Sequence, residues 1–282
     1  MKTVCFICDD NYVMPTSIAI QSFVENTFEE YHIVVLGVGM SAESAELLKQ
    51  LATDRVRIDV IESGLIDRFK DVTSKNPHVS NAALVKFLIA DMLTECDDVL
   101  YMDGDILVEK DISKIWEYKT DKYAVVVKDM RAIYTNNADS KYVAFNNSEY
   151  FNSGVMLLNT RKIRNEGIAE KLIDARLSKE RFFMDQDTFN EVFEGMVDYM
   201  PITYNGMYST LSYFATKEIA SFYGISLPDS TEDVFRQMAI IHFCSPTKPW
   251  KYYDSWYADN WYEYYLRSPF GNKKLNRERW KK

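Results

Sequence analysis

Asp103 and Asp105 flank a glycine at the end of an apolar run, VLYMDGD. In extended backbone, side chains at i and i+2 share a face. Gly104 leaves the other face clear and lets the chain bend. Two carboxylates this close repel each other unless a cation lies between them. A hard divalent ion that keeps positions open for phosphate oxygens suits the pair. A solvated acidic turn is the plainer reading of a bare DxD, but its place after an apolar strand favours the metal. His242 ends a second apolar run, residues 238–241, and leads into HFCSPTKPW. A lone histidine on an apolar strand is ordinarily a satisfied core residue. As a third ligand it would favour Mn2+ over Mg2+, since imidazole is the softer donor. Lys248 would offer a point charge to a diphosphate.

The elements that must position these residues follow from periodicity. Residues 4–8, 32–39, 56–62, 98–108 and 123–128 read as strands or contain one. Residues 13–24 and 81–93 read as helices, and Ser41 caps a helix running to about Leu51. This alternation predicts an α/β fold, a mostly parallel sheet covered by helices. Ligands in such sheets bind beyond the carboxyl ends of the strands. Asp9 and Asp10 follow the first strand and Asp103 and Asp105 the fourth, so a polar cleft is expected there. Beyond residue 130 the pattern changes. Residues 131–148 read as a polar loop over the site, and 151–159 as a strand. Helices are expected over 161–177 and 185–193, with Asp185 as N-cap of the second. Residues 203–237 read as an irregular aromatic segment that binds substrate, and 240–244 as a last strand.

Composition narrows the class. The formal charge of the 282-residue chain is -9, which argues against a nucleic-acid partner. The charge is uneven: residues 251–282 hold eight Lys/Arg against four Asp/Glu, the pattern of an interaction surface. Residues 250–265 hold nine aromatics in sixteen positions. Aromatics with Lys/Arg suit an anionic membrane surface, or else a helix packed on the body. The expected division is therefore 1–250 for a catalytic body and 251–282 for a tail. Cys5 and Cys8 lie on a strand, where i and i+3 face opposite ways, so they read as buried thiols in a reducing setting. No stretch approaches the length of a membrane span and the apolar N-terminus meets Asp9 too soon for a signal peptide. A cytoplasmic enzyme is expected, peripheral at the inner face of the membrane if the tail binds lipid.

The pieces Asp9-Asp10-Asn11-Tyr12, DGD in VLYMDGDILV, Phe151-Asn152-Ser153-Gly154-Val155, Asp185-Gln186-Asp187, and His242 with Lys248-Pro249-Trp250 occur in one order. In that order they resemble glycosyltransferase family 8, the retaining galactosyl- and glucosyltransferases that include bacterial lipopolysaccharide enzymes and glycogenin. The resemblance implies a GT-A nucleotide-diphospho-sugar transferase fold, a UDP-hexose donor and Mn2+, with Mg2+ as the alternative. It implies that Asp9, Asn11 and Tyr12 hold uridine, Tyr12 by stacking on uracil. Asp103, Asp105 and His242 would be the metal ligands, and Lys248 would hold the diphosphate. Asn152, Asp185 and Gln186 would line the donor sugar and acceptor, and Asp129 is counted with them. The acceptor would be a glycan, glycolipid or glycoprotein.

Two residues depart from the family pattern. Lys86 stands where an arginine is usual and loses the bidentate fork. Ser245 replaces a glycine, to crowd the diphosphate or to add a hydroxyl contact to it; both are expected beside the donor, with Gly104. Retention of configuration in glycosidases uses a carboxylate nucleophile. Gln186, expected under the sugar, is a poor nucleophile, which favours front-face attack; Asp185 as nucleophile stays open. Rival readings are a UDP-sugar-binding module without transfer, a self-glucosylating enzyme, a nucleotidyltransferase and a phosphatase of the haloacid dehalogenase type. The last typically places its DxD near the N-terminus and follows it with Gly-Thr, unlike Ile106-Leu107 here.

Overall fold

Apolar β-rich runs near the N-terminus form three parallel strands, β1 (Lys2–Cys8), β2 (Tyr31–Gly37) and β3 (Val56–Glu62). The computed structural model describes residues 1–62, 64, 82–138, 148–178 and 183–280. β4 (Val99–Met102) pairs parallel with β1, and β7 (Phe151–Leu158) lies antiparallel between β4 and β6 (Ala124–Lys128). β8 (Val197–Tyr199) completes the order β3-β2-β1-β4-β7-β6-β8. Most of the pairings are parallel, as expected; β7 is the exception.

A second, small sheet makes the site. β5 (Ile106–Val108) and β9 (Gly206–Met207) flank β10 (Ile240–His242). The run 98–108 therefore holds two strands in two sheets, joined by a turn at Gly104 and Asp105. The acids were expected on extended backbone; instead they occupy the crossover.

Helices cover both faces. α1 (Val13–Asn26), α2 (Ala42–Lys49) and the second sheet pack on one, with a core that includes Cys8, Phe23 and Ile241. Ser41 caps α2 by accepting from the Ser44 N–H. The helix expected over 81–93 is interrupted: α3 (Ala82–Val85), a tight turn at Lys86–Leu88, then α4 (Ile89–Met92), with residue 81 outside the described residues. These pack on the opposite face with α6 (Thr160–Asn165), α7 (Ile168–Ser178) and α8 (Met184–Val192), around a core that includes Cys5. Cys5 and Cys8 thus face the two different cores and are free thiols, as strand alternation requires.

Three expectations are corrected. Residues 130–138 form α5 (Met130–Ala138), not loop, and 139–147 lie outside the described residues. The helix expected over 161–177 divides at Gly167, whose φ of +60° only glycine adopts without strain. Residues 203–237 are mostly short helices: α9 (Tyr208–Leu211), α10 (Thr216–Tyr223) and α11 (Thr231–Gln237). Their polar and aromatic composition hid helices too short to show a period. In the tail, α12 (Ala258–Arg267) packs against α1. Asn26 donates to the Tyr264 hydroxyl at 2.8 Å, Arg267 pairs with Glu25, and Trp261 is fully buried. Among the described residues no helix is long and apolar enough to cross a membrane.

Candidate metal centre and donor site

Strand pairing brings the distant ligand candidates together. β10 runs antiparallel to β5 with His242 opposite Ile106, and the Phe243 N–H donates to the Asp105 carbonyl at 2.9 Å. That register sets His242 beside the acidic turn. On the other side the Asp103 N–H donates to the Gly154 carbonyl at 2.8 Å, extending the β4–β7 ladder by one residue. One ligand atom from each of Asp103, Asp105 and His242 then falls within 4.8 Å of the others. His242 Nε2 stands 3.3 Å from Asp105 Oδ1 and 3.6 Å from Asp103 Oδ2.

The donor set fits a divalent cation. Two carboxylates and an imidazole are the ligands a borderline metal takes. The space between them is kept by Gly154: a Cβ there would lie 2.2 Å from His242 Cε1 and 2.7 Å from Asp103 Oδ2. Gly104 is equally constrained, since a Cβ would meet Thr16 Oγ1 at 2.2 Å and the Tyr12 ring at 3.3 Å. Clearance is thus the part of the expectation for Gly104 that the packing requires.

Two lysines balance the acids. Lys86 is buried between Asp103 (Oδ1, 2.9 Å) and Asp185 (Oδ2, 2.7 Å), with the Tyr101 ring 5.0 Å away. Burial opposes its charge, but Asp103 and Asp185 outweigh burial and hold the ammonium above its ordinary range. Lys248 donates to Asp105 and to the Phe243 carbonyl. Burial alone would raise the Asp105 carboxyl; Lys248 and His242 reverse this and hold it well below the usual carboxylate range. Ser245 turns its hydroxyl to Thr247, accepting from the N–H at 3.2 Å and so bracing the loop before Lys248.

The N-terminal motif lies between β1 and α1. Asp9 accepts from the Tyr12 N–H at 3.0 Å, and Asn11 is exposed. Asp10 accepts from the Ser41 N–H and hydroxyl, tying β1 to the start of α2. Tyr12 reaches into the acidic centre. Burial, with Asp105 and Asp103, pushes its hydroxyl well up, and its ring meets Trp250 edge-on at 5.8 Å.

Behind the centre, Gln186 accepts from Asn152 Nδ2 at 2.9 Å and the Ser153 N–H at 3.3 Å, and donates to Asp129 at 3.3 Å. Burial raises the Asp129 carboxyl, opposed by hydrogen bonds from the Ala132 N–H, Gln186 and Asn152. The Ser153 hydroxyl donates to Asp185 at 3.2 Å. Asp185 is not the N-cap of α8; Phe183 holds that place and Asp185 lies in the first turn. Asp187 accepts from the Tyr150 hydroxyl and the Phe183 N–H, a framework role.

Two buried residues at the centre went unnoticed in the sequence. The Tyr101 hydroxyl donates to Asp103 Oδ1; its place two residues before Asp103 on a strand was the available signal. Asn205 lies 3.0 Å from His242 Nδ1, and no motif or spacing announces it.

A sequence profile described as Glycosyl transferase family 8 matches residues 3–254. A lipopolysaccharide 1,2-glucosyltransferase of Escherichia coli is 29% identical over 274 residues, 94% of this chain and 78% of that protein. Galactosyltransferase LgtC in complex with donor and acceptor sugar analogs matches with a TM-score of 0.75 and 22% identity, over 95% of this chain and 96% of that one. The apo structure of the WbbM bifunctional glycosyltransferase gives 0.80 at 20% identity, over 96% of this chain and 50% of that one. The fold is that of these GT-A enzymes.

Proposed function

The chain belongs to glycosyl transferase family 8, and from that premise we propose that it moves a hexose, glucose or galactose, from a UDP-sugar to a glycan or glycolipid acceptor, with retention of configuration and in dependence on Mn2+. The observation that carries this reading is the meeting of Asp103, Asp105 and His242 within 4.8 Å. These three would hold the ion, with Mg2+ as the weaker choice for a site containing imidazole. When bound, such an ion supplies positive charge to phosphate oxygens of the leaving nucleotide.

The chain's own residues do the rest. Lys248 and Ser245 would hold the diphosphate, and Asp9, Asn11 and Tyr12 the uridine. Lys86, clamped between Asp103 and Asp185, joins the metal pair to the sugar side. Gln186 has its amide oxygen and nitrogen both engaged by the protein, which supports a positioning rather than a nucleophilic role. Attack from the front face is then the favoured path. The acceptor oxygen bonds to the anomeric carbon as the phosphate oxygen leaves on the same side and takes the acceptor's proton. Asp185 as a transient nucleophile is the alternative, and Asp129 and Asn152 fix the amide that would separate the two.

A lipid-linked glycan suits the tail, whose Lys/Arg and aromatics are of the kind that anionic bilayers attract. In this reading residues 1–250 are the catalytic body and 251–282 a peripheral contact at the cytoplasmic face. A UDP-release screen across UDP-sugars, with and without Mn2+ and with glycan acceptors, tests the function. Mn2+-dependent release with UDP-glucose or UDP-galactose is expected. Tight UDP-sugar binding without any release would make the chain a binding module instead.

A further inference from the structure

Two backbone N–H groups of β7 fix the direction of three side-chain amides behind the metal centre, those of Asn152, Asn205 and Gln186. A backbone N–H only donates. Gly154 N donates to Asn152 at 3.0 Å, so the atom facing it is Oδ1. The Asn205 atom 2.9 Å from that same oxygen must then be Nδ2. Asn205 therefore turns Oδ1 to His242 Nδ1, 3.0 Å away. In the same way the Ser153 N–H requires Oε1 of Gln186 on its side, and leaves Nε2 for Asp129. Asn152, Asn205, Gln186 and His242 are all buried, so leaving one of these polar groups without its partner carries a desolvation cost.

We propose that Asn205 is a positioning residue. It accepts the proton of His242 Nδ1, fixes that tautomer, and so leaves the Nε2 lone pair facing Asp103 and Asp105. Through Asn152 the same side chain joins the metal ligand to Gln186 in one line of buried hydrogen bonds, His242–Asn205–Asn152–Gln186–Asp129. A ligating histidine whose second nitrogen is held by an acceptor is oriented and made more basic. The inference rests on the metal-dependent reading of the site, and extends it to a residue outside the ligand set.

The direct test needs no variant. The chain has three histidines, so their ring nitrogens are separable by 15N-resolved imidazole spectra of the protein saturated with a diamagnetic divalent ion, Mg2+ or Zn2+, and UDP. His242 is expected to carry its one proton on Nδ1; a proton on Nε2 would overturn the proposal. Mn2+ binding, measured calorimetrically with UDP present, then tests the consequence. Asn205→Asp keeps an acceptor facing Nδ1 but sets its second oxygen against Asn152 Oδ1, so it should bind Mn2+ more weakly than wild type yet more tightly than Asn205→Ala. Asn205→Ala removes it and should bind about 10–100-fold more weakly. A folded N205A protein that binds Mn2+ as wild type does, or equal losses in both variants, would refute the role of the acceptor. If wild type binds no Mn2+ at all, the metal-dependent reading fails; if the tautomer alone is wrong, only the Asn205 assignment does. Should N205A not fold, the tautomer spectrum and N205D still decide.

Discussion

At the scale of single residues, the centre depends on close approach. Gly154→Ala places a methyl inside the His242 ring and against Asp103. Overpacking of this kind costs about 1–3 kcal/mol. The protein should fold with a lowered melting temperature and lose Mn2+ binding; G154A binding Mn2+ with unchanged affinity would contradict the assigned ligands. Lys86 is the counterpart. Lys86→Met leaves Asp103 and Asp185 without their shared cation. Breaking a buried pair costs about 3–5 kcal/mol. Divalent metal should recover more stability in K86M than in wild type, because it replaces part of the lost charge. Equal metal-induced melting shifts in the two proteins would count against the clamp.

Much of this centre was legible from residue types. The acidic pair stood out because charge at the end of an apolar run needs a reason, and His242 and Lys248 because HFCSPTKPW fell in the order of the family pattern. The line from His242 through Asn205 to Gln186 did not, because buried amides carry no charge and their partners are set by strand register. The reach of the Tyr12 hydroxyl toward Asp105 was not legible either. Sequence spacing shows where a side chain begins, and not where its end points.

At the scale of elements, period-2 runs and the Ser41 cap were readable because each is a local signal. The small sheet was legible only in part: the strand expected over 240–244 holds β10, but β5 was merged with β4 in one run and β9 is only two residues long, and their pairing, which brings His242 to the acids, carries no local signal. The helix at 130–138 was read as loop because its polar residues mask the apolar positions Met130, Ala132 and Ile133, which are buried. The end of β5 also carries a testable strain. Burial pushes Glu109 up to about 7, with Glu263 adding to the rise and Lys110 and Arg267 opposing it. Its Oε1 is buried without a partner among the described residues. A carboxyl whose folded pKa exceeds its unfolded value costs nothing while protonated. It lowers stability as pH climbs from the ordinary carboxylate range to about 7 and holds that cost above. Glu109→Gln should therefore raise the melting temperature at pH 8, by up to about 3 kcal/mol in free energy, with the gain fading near pH 5. A gain independent of pH would refute the assignment.

At the scale of the whole molecule, the tail is joined to the body by packing as well as charge. Trp261 and Tyr265 of α12 belong to the same core as α1 and the second sheet. Removing residues 251–282 deletes both side chains and uncovers the apolar surface of α1 on which they pack. Loss of a buried Trp alone costs about 3–5 kcal/mol, so the truncated protein should melt roughly 10 °C lower at 2–4 °C per kcal/mol. An unchanged melting temperature would make α12 a detached appendage. Membrane contact is better tested on the full chain, with its basic residues beyond Arg267 neutralised, by flotation with anionic vesicles; undiminished flotation would count against the basic tail.

The central claim is that Asp103, Asp105 and His242 grip one divalent cation that sugar transfer requires. The most direct measurement compares UDP release by wild type in Mn2+, wild type in EDTA, and Asp103→Asn in Mn2+, each protein shown to be folded by its melting curve. Release in Mn2+ by wild type alone, with the other two at background, is the predicted result. Full activity in EDTA, or in Asp103→Asn, would contradict it.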